Sequence, residues 1–218
     1  MPQIFRPYAD TLARVVLVGI LVAPFVAIGV AYWVMRSSYI TDQSVTIEQP
    51  VPFSHEHHVN GLGVDCRYCH SAVEKSAMAG IPPTHTCMTC HSELYTQAEM
   101  LAPVRKSLAD RTPIRWNKVH RLPDYVYFDH SIHIAKGVGC TTCHGDVQHM
   151  PLMRQAAPLT MGWCLECHRD PAPHLRPASA VFDPDWTPPK DQLEQGRKLL
   201  TQYLIDPTHL TDCTVCHR

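Results

Sequence analysis

The sequence predicts a mainly α fold with much irregular structure. A single N-terminal transmembrane helix leads into a domain of short helices and long connections. Three observations in the 218 residues predict this. Residues 15–35 form an unbroken uncharged apolar run. The chain holds 19 prolines, nearly twice the usual share, and proline breaks helices and central strands. All ten cysteines fall in one five-residue motif that recurs five times.

The run from Val15 to Met35 is long enough to cross a hydrocarbon core of about 30 Å as a helix. Arg14 and Arg36 bracket it, and Tyr32 and Trp33 lie where an interfacial aromatic belt belongs. Pro24 falls near the middle, a position that membrane helices tolerate. The rival reading is a secretory signal cleaved after Gly29-Val30-Ala31. The run is long for that, so an uncleaved anchor is expected.

The five motifs are Cys66-Arg67-Tyr68-Cys69-His70, Cys87-Met88-Thr89-Cys90-His91, Cys140-Thr141-Thr142-Cys143-His144, Cys164-Leu165-Glu166-Cys167-His168 and Cys213-Thr214-Val215-Cys216-His217. This is the spacing of covalent haem c attachment. Two thiols three residues apart reach the two vinyl groups of one porphyrin, and the following imidazole comes under the iron. Zinc ribbons need pairs of Cys pairs, and five pairs do not divide that way. Neither a redox Cys pair nor a disulfide framework predicts a His after every pair. Five covalent haems are therefore expected, with His70, His91, His144, His168 and His217 as proximal ligands. About 36 residues per haem are too few to wrap each in its own apolar core, so the haems themselves must build much of that core.

The haem region repeats internally. Phe53-Ser54-His55-Glu56-His57-His58 with Gly61-x-Gly63 precedes the first motif, and Phe128-Asp129-His130-Ser131-Ile132-His133 with Gly137-x-Gly139 precedes the third. Each is followed by two motifs. The expected organisation is a stub and anchor helix at 1–36, a linker at 37–52, a two-haem unit at 53–110, a connection at 111–127, a second two-haem unit at 128–170, and a last segment at 171–218. Within these, 92–110 reads as helical. The Pro-rich run after Arg169 reads as an extended surface segment to Pro189. Asp191-x-x-Glu194 reads as a capping box, opening a helix whose Leu193, Leu200 and Leu204 share a face.

Two His three apart share one helix face and can serve two adjacent irons. The Phe-x-His-x-x-His pattern before a haem motif resembles the class III, c7/c3-like multihaem cytochromes. That resemblance implies His55 as distal ligand of the first haem, His58 of the second, His130 of the third and His133 of the fourth. His57 is able to exchange roles with His58. The fifth haem needs one more ligand. His120 is the first choice, with His149, His209, Met78, Met150 or Met161 as alternatives. Arg67, Arg154 and Arg176 are candidates for pairing with haem propionates.

The apoprotein's formal charge is −1, and no basic run suggests nucleic acid. Taken with the anchor and the repeat, the runs Asp65–His70, Gly80-Ile-Pro-Pro83, Leu159–Cys164 and Thr211–Arg218 resemble the pentahaem cytochrome c subunit of bacterial alternative complex III. The resemblance covers essentially the whole chain. It implies an electron relay from polytopic quinol-oxidising subunits to a monohaem cytochrome c subunit and a soluble acceptor. It also implies a large iron–sulfur, molybdopterin-oxidoreductase-like partner. No substrate chemistry belongs to the chain itself in this reading. Haem c is attached outside the bacterial cytoplasm, so the N-terminus is expected inside and the haem domain on the periplasmic side of the cytoplasmic membrane. The alternatives are a free-standing, membrane-anchored quinol dehydrogenase feeding a periplasmic reductase, and a catalytic multihaem enzyme with one open iron position.

Overall fold

The structure is a computed structural model and is described for residues 4–218; the first three residues of the expected N-terminal stub lie outside the described residues. Two compact units divide the chain, one ending at Asp42 and one running from Gln43 to Arg218.

The first unit is dominated by α1 (Ala9–Met35), a 27-residue helix with an 18-residue stretch of mean hydropathy 2.6, long and apolar enough to cross a membrane. At 1.5 Å per residue it is about 40 Å long. It begins a turn and a half before the uncharged run, where Arg14 pairs with Asp10 at 2.9 Å. It continues through Pro24 and ends with the Arg36 guanidinium 4.3 Å over the Tyr32 ring. The short α2 (Ser38–Thr41) follows.

The second unit has no strand among the described residues; its extended segments meet in isolated bridges such as Val126 with His217. Its helices are α3 (Cys66–Cys69), α4 (Thr84–His91), α5 (Ala102–Asp110), α6 (His130–Ala135), α7 (Cys140–His144), α8 (Met161–Arg169), α9 (Gln192–Gln202) and α10 (Cys213–Cys216). The repeat is visible in their boundaries. In each half the first motif opens a one-turn helix, α3 or α7. The second motif closes a longer helix that starts three residues before its first Cys, α4 or α8.

One register differs between the halves. His133 is followed four residues later by Gly137 at φ +79°, whereas His58 is followed five residues later by Gly63 at φ +67°. The extra residue is absorbed by winding Glu56–Gly61 as a π-helix, which fits one more residue into the turn. Both helices then end alike, with Val64 N–H donating to His58 C=O at 3.0 Å and Val138 N–H to His133 C=O at 2.9 Å. The structural counterpart of Gly137 is thus Gly63. Gly61, aligned with Gly137 by sequence, lies inside the π-helix.

The helical expectation for 92–110 holds only for Ala102–Asp110, preceded by a 3-10 turn. The Pro-rich run is not an open surface segment. Ala172, Leu175, Arg176 and Val181 are buried, because α9 lies along it. Gln192 Nε2 donates to Leu175 C=O at 2.7 Å, and a Cβ at Gly196 would collide with the Ala172 carbonyl. The buried face of α9 is therefore Gly196 and Leu199, while Leu193 and Leu204 are exposed. The capping box is not made: Asp191 has no side-chain cap bond and accepts from Gln195 Nε2 at 3.1 Å instead.

Buried apolar side chains are few. Val51, Leu101 and Val104 form one cluster, with Met88, Ile114 and Trp116 packed on it. Arg176 is a buried cation. It donates to the Thr141 and Thr142 hydroxyls at 3.0 and 3.3 Å and stacks 4.4 Å over Trp186. Arg67 is tied to Asp65 at 2.8 Å, and Arg154 bridges to Thr46 through its backbone.

Candidate haem centres

Each repeat starts from one phenylalanine that orients two imidazoles. Phe53 meets His55 edge-on at 4.9 Å and stacks on His58 at 4.4 Å. Phe128 does the same with His130 at 4.8 Å and His133 at 4.4 Å. An aromatic edge on one ring and an aromatic face on the other restrict both side chains at once.

The imidazoles so held face the motif histidines. Ring centroids lie 6.2 Å apart for His58–His91, 6.3 Å for His130–His144 and 6.1 Å for His133–His168. Two imidazoles binding one metal ion from opposite sides through Nε2 at about 2.0–2.1 Å would hold their centroids about 6.3–6.5 Å apart, close to these separations. His55 is within electrostatic reach of His70: burial first, then His70 and His58, push its pKa down to about 4. Of the four pairs that the sequence resemblance implies, three therefore stand ring to ring at 6.1–6.3 Å, and His55 lies within electrostatic reach of its expected partner.

Protons are arranged to match. The Nδ1 atoms of His70, His91, His168 and His217 meet the carbonyls of Gly80 (2.7 Å), Leu94 (3.2 Å), Leu210 (2.9 Å) and Tyr125 (3.2 Å). Those of His58, His130 and His133 meet the carbonyls of Ser54 (2.8 Å), Ala77 (2.8 Å) and Asp129 (2.7 Å). A carbonyl accepts, so each ring carries its proton on Nδ1 and keeps Nε2 free as a lone-pair donor. His55 Nδ1 is buried without a partner. Burial also lowers the pKa values of His58 and His133, keeping them neutral, as a metal ligand must be. None of the ten cysteines is in a disulfide. The donor set fits covalent haem iron.

His120 is a correction. It does not lie beside His217. Its Nε2 is 3.1 Å from His144 Nδ1, with the rings 4.3 Å apart, too close for an iron between them. The connection carrying it folds over the third motif, while the Tyr125–Tyr127 stretch that follows pairs with the fifth. There His217 has the Tyr125 ring at 5.8 Å. Tyr127 N–H donates to Cys216 C=O at 2.8 Å. His209 is exposed and paired with Asp212 at 3.1 Å, and His149 is exposed. The carbonyl acceptors went unforeseen because main-chain groups leave no side-chain signature.

The thiols mark which motifs are neighbours. Cys69 interacts with Cys87, Cys66 with Cys140, Cys143 with Cys167 and Cys164, and Cys164 with Cys216. The motifs therefore follow one another in space as second, first, third, fourth, fifth.

Comparison with known proteins agrees with this geometry. Residues 51–107 match the family model described as cytochrome c7 and related cytochrome c. Over 98 residues the chain is 38% identical to a protein of Nitratidesulfovibrio vulgaris (strain Hildenborough) named menaquinone reductase, multiheme cytochrome c subunit; this covers 44% of the chain and 46% of the relative. The chain thus spans about half the length of the curated relative it matches. Behind one N-terminal apolar helix, the chain carries a mostly helical, multihaem cytochrome c7-like domain.

Proposed function

We propose that this chain is the membrane-anchored, five-haem electron relay of a quinone-linked oxidoreductase, the pentahaem subunit of an alternative complex III. The observation that carries the reading is the set of three imidazole pairs at 6.1–6.3 Å. Haem c, when bound, supplies reversible one-electron exchange at each motif.

In this reading the Cys pairs 66/69, 87/90, 140/143, 164/167 and 213/216 hold five haems. His70, His91, His144, His168 and His217 ligate from one face. His55, His58, His130 and His133 close the first four irons from the other. At the first four motifs a second imidazole stands ready to complete each iron, which favours a relay over a catalyst there. The contiguous row of motifs supports transfer along the chain. Helix α1 anchors the chain in the bacterial cytoplasmic membrane, with the N-terminus inside and the haem domain on the periplasmic side. Polytopic quinol-site subunits, an iron–sulfur molybdopterin-oxidoreductase-like subunit and a monohaem cytochrome c complete the complex. The relative's name supports a second reading, in which the same relay runs toward the quinone.

Mild solubilisation, native isolation of the haem-staining complex and mass spectrometry of its companions test the assignment. Co-migration with polytopic and large iron–sulfur subunits is expected. Migration alone, or with a soluble reductase, would assign the chain to free-standing quinol dehydrogenases instead. Adding quinol to the isolated complex then separates the two directions, since only quinol oxidation reduces the haems rapidly.

A further inference from the structure

Four of the five motif histidines give Nδ1 to a main-chain carbonyl. The exception is His144, whose Nδ1 meets the side chain of His120 at 3.1 Å, with the rings edge to face at 74°. We propose that His120 is a positioning residue for the third iron centre: it accepts the Nδ1 proton of His144, orients that ring and strengthens it as a donor. The inference rests on the haem assignment above.

The direction of the bond follows from valence. An imidazole that gives its Nε2 lone pair to a metal and stays neutral keeps its proton on Nδ1. His144 therefore donates, and His120 accepts at Nε2. An imidazole nitrogen, with an ordinary pKa of about 6.5, is a far stronger base than an amide carbonyl. The proton of His144 is pulled further from its ring than the protons of the other four, and the ring passes more electron density to the metal. That favours the oxidised state of this centre over its neighbours. His120 does not itself share the iron of His144. That place is taken by His130, parallel to His144 within 9° at 6.3 Å, whereas His120 stands 4.3 Å from His144.

The device is absent from the other half of the repeat, where His70, the counterpart of His144, meets the Gly80 carbonyl. It is supplied from the connection between the halves, and it acts on the motif at the middle of the row.

The test uses the intact haem-loaded protein. His120→Phe keeps a ring and removes the acceptor. In a spectroelectrochemical titration, one midpoint potential is expected to rise while the other four stay. His120→Gln offers an amide oxygen, an acceptor of carbonyl strength, and is expected to raise the same potential by less. Five unchanged potentials in the Phe variant would overturn the inference. A new high-spin, carbon-monoxide-binding haem would overturn it too, because His120 would then be an iron ligand. If the Phe variant does not accumulate, the Gln variant decides: an upward shift of one potential upholds the inference, and no shift sinks it. Peptide mass mapping of haem on Cys140 and Cys143 in the wild type separates failure here from failure of the haem assignment.

Discussion

A single phenylalanine per repeat decides where two imidazoles point, and the two copies agree to within 0.1 Å in both ring separations. The pattern Phe-x-His-x-x-His carries this because the first His takes the ring's edge and the second its face. Ligation then predicts distinct losses. His130→Ala is expected to abolish one low-spin ferric signal and one midpoint potential, those of the third centre. His133→Ala is expected to abolish a different pair, those of the fourth. Low-temperature electron paramagnetic resonance with a redox titration reads both. The same signal lost in both variants, or none lost, would refute the pairing. The assignment of histidines to the first four motifs came from the resemblance carried by Phe-x-His-x-x-His, a pattern legible in the residues. The place of His120 was not, because its partner is 24 residues away and nothing in its own neighbourhood encodes that reach.

Short helices depend on their ends. Asp129 caps α6 by accepting from Ser131 N–H at 2.8 Å and Ile132 N–H at 3.4 Å, so Asp129→Ala should cost about 1 kcal/mol. Asp191 heads α9 without a cap bond, so Asp191→Ala should cost a small fraction of that. Denaturant unfolding of the haem-loaded protein compares them, and equal losses would contradict the cap geometry. Glycines divide in the same manner. Gly196→Ala removes a poor helix former yet drives a methyl into the Ala172 backbone; overpacking of this kind costs about 1–3 kcal/mol, so net destabilisation is expected. Gly19→Ala in α1 meets nothing within 4 Å and should leave thermal stability unchanged. A stabilised Gly196→Ala protein would show that α9 is free to shift. The heptad-like leucines of α9 suggested a different buried face, since residue spacing records apolarity and not which side a neighbouring carbonyl approaches.

At the scale of the molecule, the second unit has little apolar core of its own. Among the described residues its buried apolar side chains are scattered from Val51 to Leu199, and most other residues are half-buried or exposed. Ordering each residue costs about 1–2 kcal/mol, which so small a buried surface does not offset. A core completed by haems bonded one to each motif is therefore expected. Intact mass of the purified chain is expected to show five haem additions and no partly loaded species that remains folded. A stable, folded protein with fewer haems would contradict a core built from them.

The amino-acid sequence by itself determined the anchor-like helix, the five Cys-x-x-Cys-His motifs, the twofold repeat and the fold class. All of these are local: a run of apolar residues, a fixed spacing of Cys and His, a preference of proline for irregular backbone. Tertiary structure alone decided the spatial order of the motifs, the π-helical correction of register, the burial of the Pro-rich segment and the partner of His120. Each of these is set by segments distant in sequence that compete for one place, and that competition is resolved only when the whole chain packs.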